Sequence, residues 1–121
     1  MKRIAAHYIV ENNTRTVRKH MIVLDATGCV ESIVPLTHET PSTRFFNGII
    51  FRTNQAQTPS IDTILDWQNT HKQKTICEYL KEYGVEEIVI GTHISQLYVL
   101  VDIDFIHKKA TFNSTITKAF S

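Results

Sequence analysis

Three strand-type runs open this chain, joined by links too short to hold a helix, and that limits the fold more than any other feature. Residues 4–10 are apolar on both faces and rich in strand formers, which predicts a central strand. The polar turn Glu11-Asn12-Asn13-Thr14 leads to a second run over 17–24. Asp25-Ala26-Thr27-Gly28 then supplies turn chemistry, with Gly28 free to take positive φ. A third run covers 29–36, with Pro35 ending it. The spacing predicts a meander of three strands.

Residues 37–42 read as a loop containing Pro41, and 44–52 as a fourth strand carrying Phe45, Phe46, Ile49, Ile50 and Phe51. Asn47-Gly48 interrupts it. The arms on either side are too short for a hairpin, so a bulge or a close backbone approach is expected. Helical signals begin at Ser60, a good N-cap, with Asp62 in the first turn and Ile61, Ile64 and Leu65 on one face. Thr70 and Gln73 have capping-box spacing, Ile76, Cys77, Leu80 and Tyr83 share a face, and Gly84 is a natural stop. Two helices over 61–69 and 71–83 follow. Residues 86–91 read as a strand. Residues 97–105 alternate, with Leu97, Val99, Val101, Ile103 and Phe105 on one side and Tyr98, Leu100, Asp102 and Asp104 on the other. Residues 110–120 alternate again, with Phe112, Ile116 and Phe120 inward. The order predicts an α+β fold in one domain, 1–121: a mostly antiparallel β-sandwich of about seven strands with a two-helix insertion between strands four and five. Both ends of the chain are expected to meet in one sheet system.

At 121 residues the chain can bury one core but cannot form a (β/α)₈ barrel. Thirteen Lys and Arg against twelve Asp and Glu leave a formal charge of +1, with no net field to gather a nucleic acid. The basic cluster Arg15, Arg18, Lys19 and His20 reads as the solvated face of a strand, against a phosphate-binding patch. No apolar stretch approaches a membrane span, and the run after Met1-Lys2-Arg3 is too short and too polar for a signal peptide. The expectation is a cytoplasmic chain with no membrane contact, in which Cys29 and Cys77 are free thiols.

Six histidines, His7, His20, His38, His71, His93 and His107, are spread along the chain with no close pair of the kind that seeds a zinc site. No nucleophile elbow, phosphate loop or Cys-x-x-Cys occurs. The sequence therefore assigns no catalytic residue, no metal ligand and no cofactor. Four residues stand as pocket or interface candidates. His93 follows the run 88–92 at its C-terminal end, against an ordinary loop histidine. Asp102 and Asp104 lie two apart near Tyr98, where paired carboxylates could exchange protons, against plain alternation on a solvated face. Trp67 lies off the main apolar stripe of its helix, and either docks on the sheet or marks a partner surface.

The N-terminal half carries a family resemblance. Arg3-Ile4-Ala5-Ala6-His7-Tyr8-Ile9, the basic strand Val17-Arg18-Lys19-His20, Gly28-Cys29-Val30-Glu31-Ser32-Ile33 and Phe45-Phe46-Asn47-Gly48-Ile49-Ile50 together resemble the opening of amidohydrolase-superfamily enzymes of the dihydroorotase and cytosine or guanine deaminase type. In that family such strands belong to a small β-sandwich beside a metal-dependent barrel, and 97–120 resembles the closing strands of the same sandwich. The resemblance implies a sandwich built from 1–52 and 97–120, with 53–96 supplying helices and one strand in place of the barrel. The family's Pro-Gly and His-x-His after the fourth strand are absent; here Ile50 is followed by Phe51-Arg52-Thr53-Asn54-Gln55-Ala56-Gln57. No family catalytic residue carries over. The resemblance therefore implies a non-catalytic amidohydrolase-like domain, an interaction or self-association module with a homo-oligomeric or protein partner. The alternatives are a small metal-dependent hydrolase of cyclic amides, and a small-ligand binder with its pocket near Trp67 and His93.

Overall fold

Short polar links hold the first strands side by side. In the computed structural model, which describes residues 2–36, 43–53, 60–82 and 85–119, β1 (Lys2–Val10), β2 (Thr16–Leu24) and β3 (Val30–Pro35) form an antiparallel meander. Asp25 closes the second link: its Oδ1 accepts hydrogen bonds from the Thr27 N–H at 2.9 Å and the Cys29 N–H at 3.0 Å. Gly28 takes φ +85°, the conformation a side chain would resist.

β4 (Thr43–Arg52) lies against the other edge of β1, and this pairing is parallel. β5 (Leu97–Val101) and β6 (Thr115–Lys118) extend the sheet antiparallel beyond β4. The order is β3-β2-β1-β4-β5-β6, so the first and last strands lie in one sheet but are not neighbours. The chain is α+β, as expected. The architecture differs from the expected one: the described residues form a mixed sheet of six strands where a mostly antiparallel sandwich of about seven was predicted.

Two helices cover one face. Ser60 caps α1 (Ile61–Thr70), its Oγ accepting from the Thr63 N–H at 3.2 Å. α2 (Ile76–Glu82) starts later than the Thr70–Gln73 spacing suggested. The working capping box is Thr75 and Glu78: the Thr75 hydroxyl accepts from the Glu78 N–H at 3.3 Å, and the Glu78 carboxylate from the Thr75 N–H at 3.4 Å. Ile64, Trp67, Ile76, Tyr79 and Leu80 pack onto Val10, Ile49, Phe51, Tyr98 and Leu100 of the sheet. The opposite face gathers Ile4, Ile9, Ile22, Leu24, Ile50, Leu97 and Val99, joined by Ile88 and Ile94.

Ile88 belongs to a stretch, 86–91, that the sequence reading assigned to a strand. Residues 86–91 are not a strand of the sheet. They form a strap tied by scattered backbone bonds: Ile88 N–H to the Glu11 carbonyl at 2.8 Å, Gly91 N–H to Val30 at 2.8 Å, and Val30 N–H to Thr92 at 2.7 Å. The strap must turn at Gly91, whose φ is +95°, and this leaves Ile90 79% exposed. Its run of Ile and Val therefore buries Ile88 alone and leaves Val89 and Ile90 exposed, without a partner strand along its length. Arg52 pins it, with a guanidinium N–H donated to the Glu87 carbonyl at 2.6 Å.

The alternation expected over 97–105 also breaks. Asp102 adopts φ +59°, which ends β5 and swings Ile103 and Phe105 to the helix side, opposite Leu97, Val99 and Val101. Residues 104–109 close a hairpin-like turn, with N–H to carbonyl bonds in both directions between Asp104 and Lys109. Beyond it, Phe112 is 92% exposed and not inward; only Ile116 of the expected inward set reaches the core among the described residues. Tyr83, Gly84 and Phe120 lie outside the described residues. Buried Gln68 holds this region to α1: its amide donates to the Ala110 carbonyl at 3.0 Å and accepts from the Ala110 N–H at 2.8 Å.

The Asn47-Gly48 interruption is a bulge with a close approach. Between Ala6↔Phe46 and Tyr8↔Ile49, β1 advances two residues while β4 advances three. A Cβ on Gly48 would run into the Leu100 carbonyl oxygen of β5. Gly48→Ala is therefore expected to lose about 2 kcal/mol or more in urea denaturation. A loss below about 0.5 kcal/mol would show that β4 and β5 separate there at little cost.

Candidate functional site

The bulge reaches across three strands. On β1, Ile4 and Ala6 face one core and so does Ile9, while Tyr8 and Val10 face the helices. Alternation therefore changes phase at His7. β2 changes phase as well, since Val17 and Ile22 share a core. Lys19, between the pairs Ala6↔His20 and Tyr8↔Arg18, takes φ +54°. A non-glycine residue in that region is strained, and such strain gathers at functional sites.

The disturbed strands leave a cleft of about 480 Å³. His7, Tyr8, Arg18, Lys19, Phe45 and Phe105 form most of its wall, with no carboxylate among the lining residues. His7 is held between rings. Its centroid lies 5.1 Å from that of Phe45, edge to face, and 4.2 Å from that of Phe105. Its Nδ1 is buried and has no hydrogen-bond partner among the described residues. A buried polar atom left in this state costs about 1–3 kcal/mol. The Arg18 guanidinium sits over the Tyr8 ring, 5.7 Å from its centroid. Phe45 is 52% exposed at the mouth.

The four residues singled out from the sequence do not converge on this cleft. Nδ1 of His93 caps a single 3₁₀ turn (Ile94–Gln96), accepting from the Ser95 N–H at 3.1 Å, and its ring packs beside Gly28. A second cleft of about 480 Å³ runs past it, between Lys2, Asp25 and Gly28. Trp67 is buried between helices, stacked on His71 at 4.5 Å and edge-on to Tyr79 at 5.1 Å. Asp102 and Asp104 do not share a strand face, because the strand ends between them and the β4–β5 pairing. The Asp102 carbonyl accepts from the Ser114 hydroxyl at 2.8 Å. The Asp104 carboxylate accepts from the N–H groups of Ile106 and His107 at 3.0 and 3.2 Å, and its Oδ2 lies 2.7 Å from His107 Nδ1.

Among the described residues no three His, Cys, Asp or Glu side chains converge as a metal site, and His38 lies outside them. Both cysteines are free; burial pushes the Cys77 thiol up to about 11, which makes it a packing group and a poor nucleophile. The sequence reading missed His7, Phe45 and Phe105, and took Arg18 and Lys19 for the solvated face of a strand over an anion-binding patch. Two signals pointed at them: an imidazole inside an otherwise apolar central strand, and the Asn47-Gly48 interruption beside Phe45 and Phe46.

The Asp104 turn makes stability depend on acid. Hydrogen bonds from the His107 ring and N–H hold the Asp104 carboxyl below its ordinary value. A folded-state value below the unfolded one stabilises above the unfolded value, and the gain is lost as pH falls through the folded value. Asp104→Asn should therefore lower the urea midpoint at neutral pH and flatten its fall below about pH 4. An unchanged acid limb would remove this role.

No family model matches the chain, and no curated protein matches it.

Proposed function

We propose that this chain is a non-catalytic binding domain, of amidohydrolase-like descent, that holds a small ligand in the cleft beside His7. The single observation behind the reading is the buried, unpartnered Nδ1 of His7 in an aromatic cleft. Unsatisfied buried groups are rare, and a packed strand would be more stable with an apolar residue there. The descent rests on the quoted sequence patterns alone. The lack of a catalytic role rests on the sequence, where the family's Pro-Gly and His-x-His after the fourth strand are missing.

A ligand fits better than a protein partner on one count. Loss of the barrel would leave an apolar sheet face to be covered, and α1 and α2 cover one face from within the chain. Of the remaining large exposed side chains, Ile106 and Phe112 are separate in the chain and Val89 and Ile90 are one adjacent pair on the strap, of the kind most surfaces carry.

Two measurements test the reading. His7→Leu keeps most of the side-chain volume and removes the orphan nitrogen, so the variant should gain about 1–2 kcal/mol in urea denaturation. A loss of more than about 1 kcal/mol would mean that the nitrogen has a partner after all. A fragment library screened by amide chemical shifts should yield compounds that move the resonances of His7, Tyr8, Lys19 and Phe105 together. A library with no such compound would end the ligand reading.

A further inference from the structure

We infer that the ligand of this cleft is a flat aromatic carboxylate. The inference rests on the cleft being a binding site, and adds the chemistry of its occupant. Phe45, His7 and Phe105 offer ring faces and edges within one wall, and Tyr8 stacks on Phe105 at 6.5 Å. Such a wall favours a flat body that can lie offset-stacked or edge-on. A volume of about 480 Å³ suits a molecule of one or two rings.

Charge supplies the second half. The chain as a whole is balanced to +1, yet Arg18 and Lys19 both line this cleft and neither forms an ion pair with a described residue. Two cations at the rim of an apolar cleft, with no acid among its described lining residues, favour a counter-charge supplied by a ligand. The planar guanidinium of Arg18 matches a carboxylate through two parallel N–H donors. Lys19 makes the same point through its backbone. At φ +54° a glycine would sit without strain, and the residue there carries an ammonium instead.

Isothermal titration of the full chain separates the components of this claim. The probes are 2-naphthoate, the neutral 2-naphthalenemethanol and the saturated decalin-2-carboxylate. The naphthoate should bind at least about tenfold more tightly than the alcohol, since charge-assisted bonds are the stronger kind. It should also bind more tightly than the saturated acid. Arg18→Gln and Lys19→Gly should each weaken the naphthoate about three- to tenfold and leave the alcohol unchanged. Lys19→Gly relieves backbone strain while removing charge, so a loss of binding there cannot be assigned to misfolding; thermal melts check both variants. Equal binding of acid and alcohol, or variants without effect, would overturn the anionic assignment while leaving the cleft a binding site. Equal binding of the two acids would overturn the aromatic one. If neither naphthalene probe moves the amides of His7 and Phe105, while other fragments do, the inference fails and the proposed function stands. If no compound does, both fall.

Discussion

The parallel pairing of β1 with β4 sets the terms for everything around it. A parallel pair cannot be closed by a tight turn, so the chain must travel through β2 and β3 before it returns. It also places both strands in the middle of the sheet, with each face buried. That is why Ile9 and Val10, and Ile49, Ile50 and Phe51, are apolar without alternation and are all fully buried. Two covers are then required. The helices supply one, and Ile88 of the strap with Ile94 of the turn that follows it contribute to the other.

The same pairing produces the cleft. β4 carries one residue more than β1 across the stretch from Ala6 to Tyr8, and Gly48 lets the surplus pass close to β5. The neighbours adjust by changing phase, β1 at His7 and β2 at Lys19. Side chains that regular alternation would have sent to opposite faces are thereby collected in one hollow. Position, strain and an unsatisfied nitrogen coincide there because they share one cause.

Much of this was legible in the residues. The first four strands, the interruption at Asn47-Gly48 and a pair of helices between the fourth and fifth strands follow from local pattern and turn chemistry. What local pattern could not reveal was pairing over distance. The runs 17–24 and 44–52 look alike, yet one pairs antiparallel with β1 and the other parallel. Ile88, Val89 and Ile90 have strand composition, but a strand needs a partner along its length, and the strap crosses the sheet end with only isolated bridges. The alternation through Asp102 and Asp104 was readable and misleading, because one left-handed residue reverses every face after it. The cleft was the least legible of all. Its residues come from β1, β2, β4 and the segment after β5, and only the shared phase change brings them together.

Gln68 carries a consequence of its own. Its side-chain amide meets the backbone of Ala110 as one peptide group meets another in a sheet, and the Ile76 N–H, donating to the Lys108 carbonyl at 2.8 Å, ties α2 to the same loop. The stretch from 102 to 114 has little interior of its own, so its order is borrowed from the helices. Fraying of α1 would release that stretch and with it the lead into the sheet's outermost strand. Helices and terminal strand, far apart in the chain, thus make a single cooperative unit that opens or closes together.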